Sequence, residues 1–170
     1  MFKNITLLAL LFQVNSIISQ EILIKNEDVW HYYDNSYLDD SWIKLKDFSH
    51  WKKGKSPLGY GDNQNFTELN FGGNKEKKHI TKYFKKKFSI NKKYVAYEFK
   101  IKRDDGAVVY INGKELFKDN MPNSTISNTT LAISTVKDED EHEFYQHFFD
   151  NTIFIEGENI ISVSIHQAYA

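Results

Sequence analysis

The sequence has no cysteine among its 170 residues. A disulfide scaffold and thiol catalysis are therefore excluded, and the fold has to be stabilised by its hydrophobic core alone. An excess of charge of either sign is missing too, since the formal net charge is −1. A chain that is close to neutral has no overall field to attract nucleic acid or a membrane surface.

Long apolar runs are also scarce. The longest, Ile5–Val14, follows Lys3 and precedes small and polar residues up to Gln20. It is shorter than the roughly 20 residues that cross a bilayer, and its pattern is that of a signal peptide. We expect residues 1–20 to be removed and the protein to be secreted or held at the cell surface. Residues 21–170 suffice for a single domain with one core.

Catalytic residue sets are missing as well. The sequence has no Gly-x-Ser-x-Gly elbow and no glycine loop that would cradle a phosphate. His142 and His147 flank Glu143 as in a zinc-protease helix, but they are five residues apart where that motif needs four. No Asp, Asn and His set for a dinuclear phosphatase and no aromatic nucleic-acid motif is present. We expect neither an enzyme nor a nucleic-acid-binding protein.

Aromatic side chains are abundant, with 13 Phe, 10 Tyr and 3 Trp. From Tyr94 to Lys102 apolar and polar residues alternate, which predicts a half-buried strand. The strand ends at Asp104-Asp105-Gly106, where we expect a turn with positive φ at the glycine. A β-branched run follows up to Asn112-Gly113, which predicts a type I′ hairpin returning through Lys114 to Phe117.

The rest of the chain also favours strands. Ile80 to Ile90 predicts a strand with a bulge, because lysines interrupt its alternation. Ile153 to Ile155, a turn at Gly157-Glu158-Asn159 and the alternation from Ile161 to His166 predict a further antiparallel pair. No segment has a convincing helical period. We therefore expect an all-β antiparallel β-sandwich of the jelly-roll type.

Several motifs together resemble a known family. They are Trp30-His31-Tyr32-Tyr33-Asp34, Trp42, Asp47 to Gly54, Pro57 to Asp62, Ile80 to Phe88, Arg103 to Gly113, Asn120-Met121-Pro122 and Gly157 to Gln167. In this order they resemble the galactose-binding-like jelly-roll domains of multidomain secreted proteins, which are often attached to metallophosphoesterases of the purple acid phosphatase type. The resemblance implies an accessory role and a strand beyond His166-Gln167. Because the sequence stops at Ala170, we expect an open sheet edge, either in a fragment of a larger protein or in a dimer paired through that edge.

Two groups of residues are candidates for ligand binding. Arg103, Asp104 and Asp105 lie at a strand end, where adjacent carboxylates can hold a calcium ion or accept sugar hydroxyls. The alternative is structural, with Asp-Asp-Gly capping a turn and Arg103 neutralising a carboxylate. His166 and Gln167 present the same two options.

The second group is aromatic. Trp30, Trp51 and Tyr60, with Trp42, can form a platform on which a sugar ring stacks. Tryptophan is more often part of a core, and we expect at least two of the three tryptophans to be core residues. Three sequons, at Asn65, Asn123 and Asn128, would be glycosylated in a host that has the machinery.

Charge is segregated along the chain. Nine lysines lie between Lys75 and Lys93, and an acidic cluster spans Asp138 to Glu143. The lysines either pair with that cluster or leave a basic strip for a polyanion such as a charged glycan.

The favoured function is therefore a secreted, non-catalytic module that binds carbohydrate and has no cofactor beyond a structural calcium ion. The alternative is a docking domain that packs on a neighbouring protein domain, such as a metallophosphoesterase.

Overall fold

The computed structural model describes residues 20–61, 66–74, 77–137, 140, 142–150 and 152–169. Its strands are β1 (Val29–Tyr33), β2 (Lys52–Lys55), β3 (Leu58–Gly59), β4 (Thr67–Glu68), β5 (Thr81–Ile90), β6 (Tyr97–Ile101), β7 (Gly106–Ile111), β8 (Lys114–Asp119), β9 (Tyr145–Phe149) and β10 (Gly157–His166). A 3₁₀ helix spans Asp40–Lys44, and no α-helix occurs within these ranges. Residues 1–19, which belong to the expected signal peptide, lie outside the described residues. No helix in the described part of the chain is long and apolar enough to cross a membrane.

The main sheet has six antiparallel strands in the order β2-β1-β5-β10-β7-β8. A second antiparallel sheet, β6-β9, packs on one face of it, and β3 and β4 form a short parallel pair. Between the two antiparallel sheets lies the first core, to which β5, β7 and β10 contribute Phe84, Val109 and Val163 and β6 contributes Tyr97 and Ile101. The predicted all-β antiparallel sandwich is confirmed.

The second face of the main sheet is also covered. The 3₁₀ helix and neighbouring loops supply Trp42, Phe48, Trp51 and Met121, which pack on Tyr83, Val108 and Tyr110 of the main sheet. Since successive residues of a strand point to opposite faces, a strand in the middle of this sheet has to be buried on both sides. This explains why all six residues of β7 are buried. Two of the three tryptophans are core residues, as expected.

The hairpin prediction is confirmed, and the alternation prediction is confirmed over β6 only, since Val95, expected on the buried face, precedes the strand and is 94% exposed. Tyr97 and Ile101 are buried whereas Glu98 and Lys100 are exposed. Asn112 and Gly113 have φ values of 52° and 80°, and positive φ at both positions is the mark of a type I′ turn.

Gly106 is present for a different reason from the one expected. Its φ lies outside the positive range, and it begins β7. A Cβ at this position would lie 2.5 Å from Met121 Sδ and 2.8 Å from Ala132 Cβ. The glycine is therefore required by close packing against the loop, not by the turn.

Two strand predictions are wrong. The register between β5 and β10 runs without interruption from Ile90↔Gly157 to Thr81↔His166, so β5 has no bulge. Of the two interrupting lysines, Lys82 is buried and Lys86 is half-buried, and both lie within the continuous strand. Ile153 to Ile155 is not a strand, because β10 already pairs with β5 on one side and β7 on the other.

Candidate ligand-binding site

The Asp104-Asp105 corner is an internal anchor. Asp105 is 5% exposed, and its two carboxylate oxygens accept hydrogen bonds from Val136 N at 2.8 Å and Ala168 N at 2.6 Å. Gln167 Nε2 donates to Asp104 O at 3.2 Å. The corner therefore ties two loops to the strand end. Among the described residues no three His, Asp or Glu side chains are placed to hold a metal ion together.

Arg103 is also used inside the protein. It donates from Nε to Asp119 Oδ1 at 2.8 Å and from Nη1 to Asp105 O at 2.8 Å, and its guanidinium lies 3.8 Å from the ring centroid of Tyr145. His147 Nε2 lies 2.9 Å from the other Asp119 oxygen. This network joins β8 to the small β6-β9 sheet, which agrees with the structural alternative for Arg103.

The three predicted platform aromatics are not brought together. Trp51 is 5% exposed in the second core, whereas Trp30 and Tyr60 pack against the first core on the opposite face of the sheet. Tyr60 lies near the Asp104-Asp105 corner. Burial, with a smaller effect of Asp104 and Asp105, raises its pKa to about 12. Its buried hydroxyl has no hydrogen-bond partner among the described residues. Ligand binding at these residues stays a prediction.

The described lysines between Lys77 and Lys93 do not form one strip. Lys82 and Lys85 point into the protein, whereas Lys86 pairs with Asp28 at 3.4 Å and Lys87 with Glu158 at 3.0 Å. The buried lysines bond carbonyl groups: Lys85 Nζ donates to Trp42 O at 2.8 Å. Lys75 and several residues of the acidic cluster lie outside the described residues.

A cleft of about 400 Å³ opens on the second face of the main sheet. Two regions of the sequence form it, residues 40–43 and residues 110–126, and its lining residues are Asp40, Ile43, Tyr110, Glu115, Lys118, Asn123, Ser124, Thr125 and Ile126. Tyr110 and Glu115 are direct partners across β7 and β8, so they belong to the same face. A concave site with apolar walls and a few convergent polar groups is the usual form of a ligand pocket.

One wall of the cleft is the 3₁₀ helix. Asp39 caps it by accepting a hydrogen bond from Ser41 N at 2.8 Å, and Trp42 fixes it to the core. Lys85 Nζ, on the main sheet, donates hydrogen bonds to the carbonyl oxygens of Trp42 and Ile43 and so fixes the helix on the sheet. The exposed carboxylate of Asp40 is left without an ion pair among the described residues.

The opposite wall is the loop of residues 123–126. Lys118 Nζ donates to Ser124 O at 3.1 Å and lies 3.5 Å from Glu115 Oε1. Beside the cleft, Asn128 Nδ2 donates to Leu38 O at 3.0 Å and so joins this loop to the chain just before the 3₁₀ helix. The sequon residue Asn123 is exposed at the rim, whereas the amide of Asn128 is used in this internal bond. Asn65 lies outside the described residues.

Tyr110 forms the floor. Its ring is buried, with 9% of the residue exposed, and its hydroxyl makes no hydrogen bond within the part of the chain that the structure describes. Burial, together with Glu115 and Asp40, raises its pKa to about 12. The phenol therefore keeps its proton at neutral pH and can donate to a ligand between two carboxylates that can accept.

A smaller pocket adjoins the cleft. It has room of about 10 Å³ for a water-sized group and shares Asp40, Ile43, Tyr110 and Ile126 with the cleft. Its inner end is lined by Thr81, Tyr83, Asn128, Ser164 and His166. We refer to it as the socket.

The hydrogen bonds of the socket fix the state of His166. Its Nδ1 lies 2.9 Å from Thr130 O, which can only accept, so Nδ1 carries the proton. Nε2 then accepts from Ser164 Oγ at 2.9 Å. Burial lowers the pKa of His166 to about 4, so the ring is neutral at ordinary pH. Ser164 consequently acts as a donor to His166 and keeps lone pairs free to accept.

Ser164 and His166 resemble a nucleophile and its base, but the surroundings do not suit catalysis. Ser164 is 3% exposed, and the socket admits only one water-sized group. A scissile bond with substituents on both sides needs far more room next to the attacking oxygen.

Comparison with known proteins shows a fold likeness only. No protein-family model and no curated protein matches the chain. A β-glucuronidase from an uncultured Clostridium species is similar in structure, with a TM-score of 0.53 and 18% identity over 92% of this chain. The β-glucuronidases of Bifidobacterium dentium (complexed with coumarin-3-O-glucuronide) and Faecalibacterium prausnitzii give TM-scores of 0.51 and 0.50, at 15% and 12% identity over 85% and 87% of this chain. The chain spans between 20% and 24% of the length of these three proteins.

The cleft was missed by sequence reasoning. Its lining residues have no motif in common, and they meet only because β7 and β8 place Tyr110 and Glu115 side by side beneath two loops. A weak signal was present in the alternation of Ser162, Ser164 and His166, since polar residues on a strand buried on both faces need partners there.

Proposed function

We propose that this chain is a secreted, non-catalytic module that binds carbohydrate in the cleft over Tyr110. The observation that carries the proposal is the Tyr110 hydroxyl, a protonated donor without a protein partner among the described residues, on a floor between Asp40 and Glu115. Sugar hydroxyls both donate and accept, so they match a phenol flanked by carboxylates. Ile43 and Ile126 supply apolar walls for the ring.

The fold likeness to a part of β-glucuronidase chains supports this proposal, because those proteins act on glycosides. The absence of catalysis is proposed on the geometry around Ser164, where the space is too small for a substrate bond. Secretion is proposed on the pattern of residues 1–20.

The test is titration of the mature protein with a panel of neutral monosaccharides, measured by calorimetry or by NMR shift changes. Tyr110→Phe removes only the hydroxyl and should weaken binding about tenfold, the effect of one hydrogen bond in a partly buried site. Tyr169→Phe is the matched control, since Tyr169 is 75% exposed and does not line the cleft. Equal affinity of the Tyr110→Phe variant and the wild type would exclude this cleft, and no binding to any sugar would exclude the function.

Docking on a neighbouring domain, for example a secreted metallophosphoesterase, is the second candidate. Phe148 on β9 and Phe144 just before it are 69% and 49% exposed. Large exposed aromatic side chains can contribute to a contact surface. Sequencing the gene beyond the codon for Ala170 tests this candidate: an in-frame catalytic domain would favour it, and a stop codon would count against it.

A further inference from the structure

We infer that the socket beneath the cleft selects sugars that carry an exocyclic hydroxymethyl group, so that the module binds hexopyranoses in preference to pentopyranoses and uronic acids. The inference rests on the proposed function and specifies its ligand class. The cleft has the volume for a sugar ring, and the adjoining socket has room for one further group the size of a water molecule.

The polar groups of the socket suit a hydroxyl. Ser164 Oγ uses its proton for His166 Nε2, so it can accept from an incoming hydroxyl. Tyr83 Oη accepts from Leu38 N at 3.1 Å, and its own proton has no acceptor within the described ranges of the chain. A hydroxyl in the socket can therefore accept from Tyr83 and donate to Ser164, which satisfies both.

Other polar groups at the inner end of the socket already bond to the protein. Thr81 Oγ1 donates to Asn128 O at 2.8 Å, and Asn128 Nδ2 donates to Leu38 O. These bonds fix the socket walls independently of a ligand. The hydroxyl positions of Ser164 and Tyr83 are thus the part of the socket that is left for recognition.

Charge at the entrance argues against a carboxylate. Asp40 lines both the cleft and the socket and has no ion pair among the described residues. The nearby Lys118 already pairs with Glu115. A uronic acid would place a second negative charge close to the carboxylate of Asp40, and like charges at short range repel each other.

The first experiment compares four ligands on the wild-type protein: glucose, xylose, 6-deoxyglucose and glucuronic acid. Xylose lacks the hydroxymethyl group, 6-deoxyglucose lacks only its hydroxyl, and glucuronic acid replaces it by a carboxylate. We expect glucose to bind at least about tenfold more tightly than each of the other three, because a site built to bond a hydroxyl discriminates strongly against its loss. Galactose, tested with L-arabinose in its pyranose form, repeats the comparison for the other common ring configuration.

The second experiment fills the socket. Ser164→Thr adds one methyl group to a space of about 10 Å³ and should reduce glucose affinity to the level of xylose while leaving xylose unchanged. Ser89→Thr is the matched control, since Ser89 is exposed on β5 and lines neither pocket. Equal binding of hexoses and pentoses by the wild type would overturn the inference and leave the proposed function intact. Binding of no sugar would overturn both. The comparison of ligands decides the matter even if the Ser164→Thr variant does not fold.

Discussion

Lys85 provides the sharpest test of how this fold is held together. Its side chain is fully buried, and Nζ donates to Trp42 O, Ile43 O and Ser162 Oγ at 2.8, 3.2 and 2.7 Å. The ammonium group has no carboxylate partner among the described residues. Burial therefore lowers its pKa from 10.5 to about 8.

The sign of the effect on stability follows from proton binding. Between pH 8 and 10.5 the unfolded chain still holds the proton that the folded protein has released, so the free energy of unfolding rises with pH in this window. Below pH 8 both states are protonated, and the contribution of Lys85 is constant. A difference of about 2.5 pK units between the two states corresponds to about 3 kcal/mol in total, of which about 2 kcal/mol develops between pH 7.5 and 9.5.

The measurement is urea unfolding of the wild type and of Lys85→Met at pH 7.5 and 9.5, followed by tryptophan fluorescence. Lys82 has a pKa lowered to about 8 by burial, and Tyr60, Tyr83 and Tyr110 have pKa values raised to about 12. These groups titrate in both proteins and cancel in the difference. Lys87→Met is the control, because Lys87 lies on the same strand but is exposed. If the wild type and Lys85→Met gain the same stability between the two pH values, the buried-ammonium explanation is refuted.

Three further predictions concern the loops. Asp105→Ala should destabilise the protein by about 3 kcal/mol, because it leaves the N–H groups of Val136 and Ala168 without an acceptor. Asp105→Asn keeps one acceptor and should destabilise the protein by about half as much. Thermal melts of both variants will measure these losses. Since both Asp105 oxygens are engaged, excess calcium should leave the melting temperature equal to that in EDTA, and a clear rise with calcium would contradict this account. In a secretory host that glycosylates, the exposed Asn123 should be modified and Asn128 should not, because the amide of Asn128 is bonded to Leu38 O. Intact masses of the Asn123→Gln and Asn128→Gln variants will show which residue carries the glycan. Since Asn123 lies at the cleft rim, its glycan should block sugar binding.

Much of the sheet could be predicted from local pattern. β6, the Asn112-Gly113 turn and β10 depend on alternation and on turn chemistry, which act over a few residues. The errors arose where tertiary packing decides. Lys82 and Lys85 in β5 look like exposed or bulged positions in the sequence, yet the loops that cover this sheet accept their ammonium groups through backbone carbonyls.

The candidate site was harder to predict than the fold. Asp105 looked like a ligand residue because its carboxylate neighbours another, but the strand end places it where two loop N–H groups need an acceptor. The residues of the cleft come from positions 40 to 126 and share a surface only through the pairing of β7 with β8 and the packing of two loops. The β7-β8 hairpin can be predicted from local turn chemistry, but no local property of the sequence encodes the packing of the two loops beside it.

The bond from Asn128 to Leu38 O joins the two loops that rise on either side of the cleft. Because of this hydrogen bond, the distance between the walls of the cleft is set during folding and not when a ligand binds. A preorganised cleft loses little conformational entropy when a ligand binds. Association should therefore be fast, and the backbone should have the same conformation with and without a ligand.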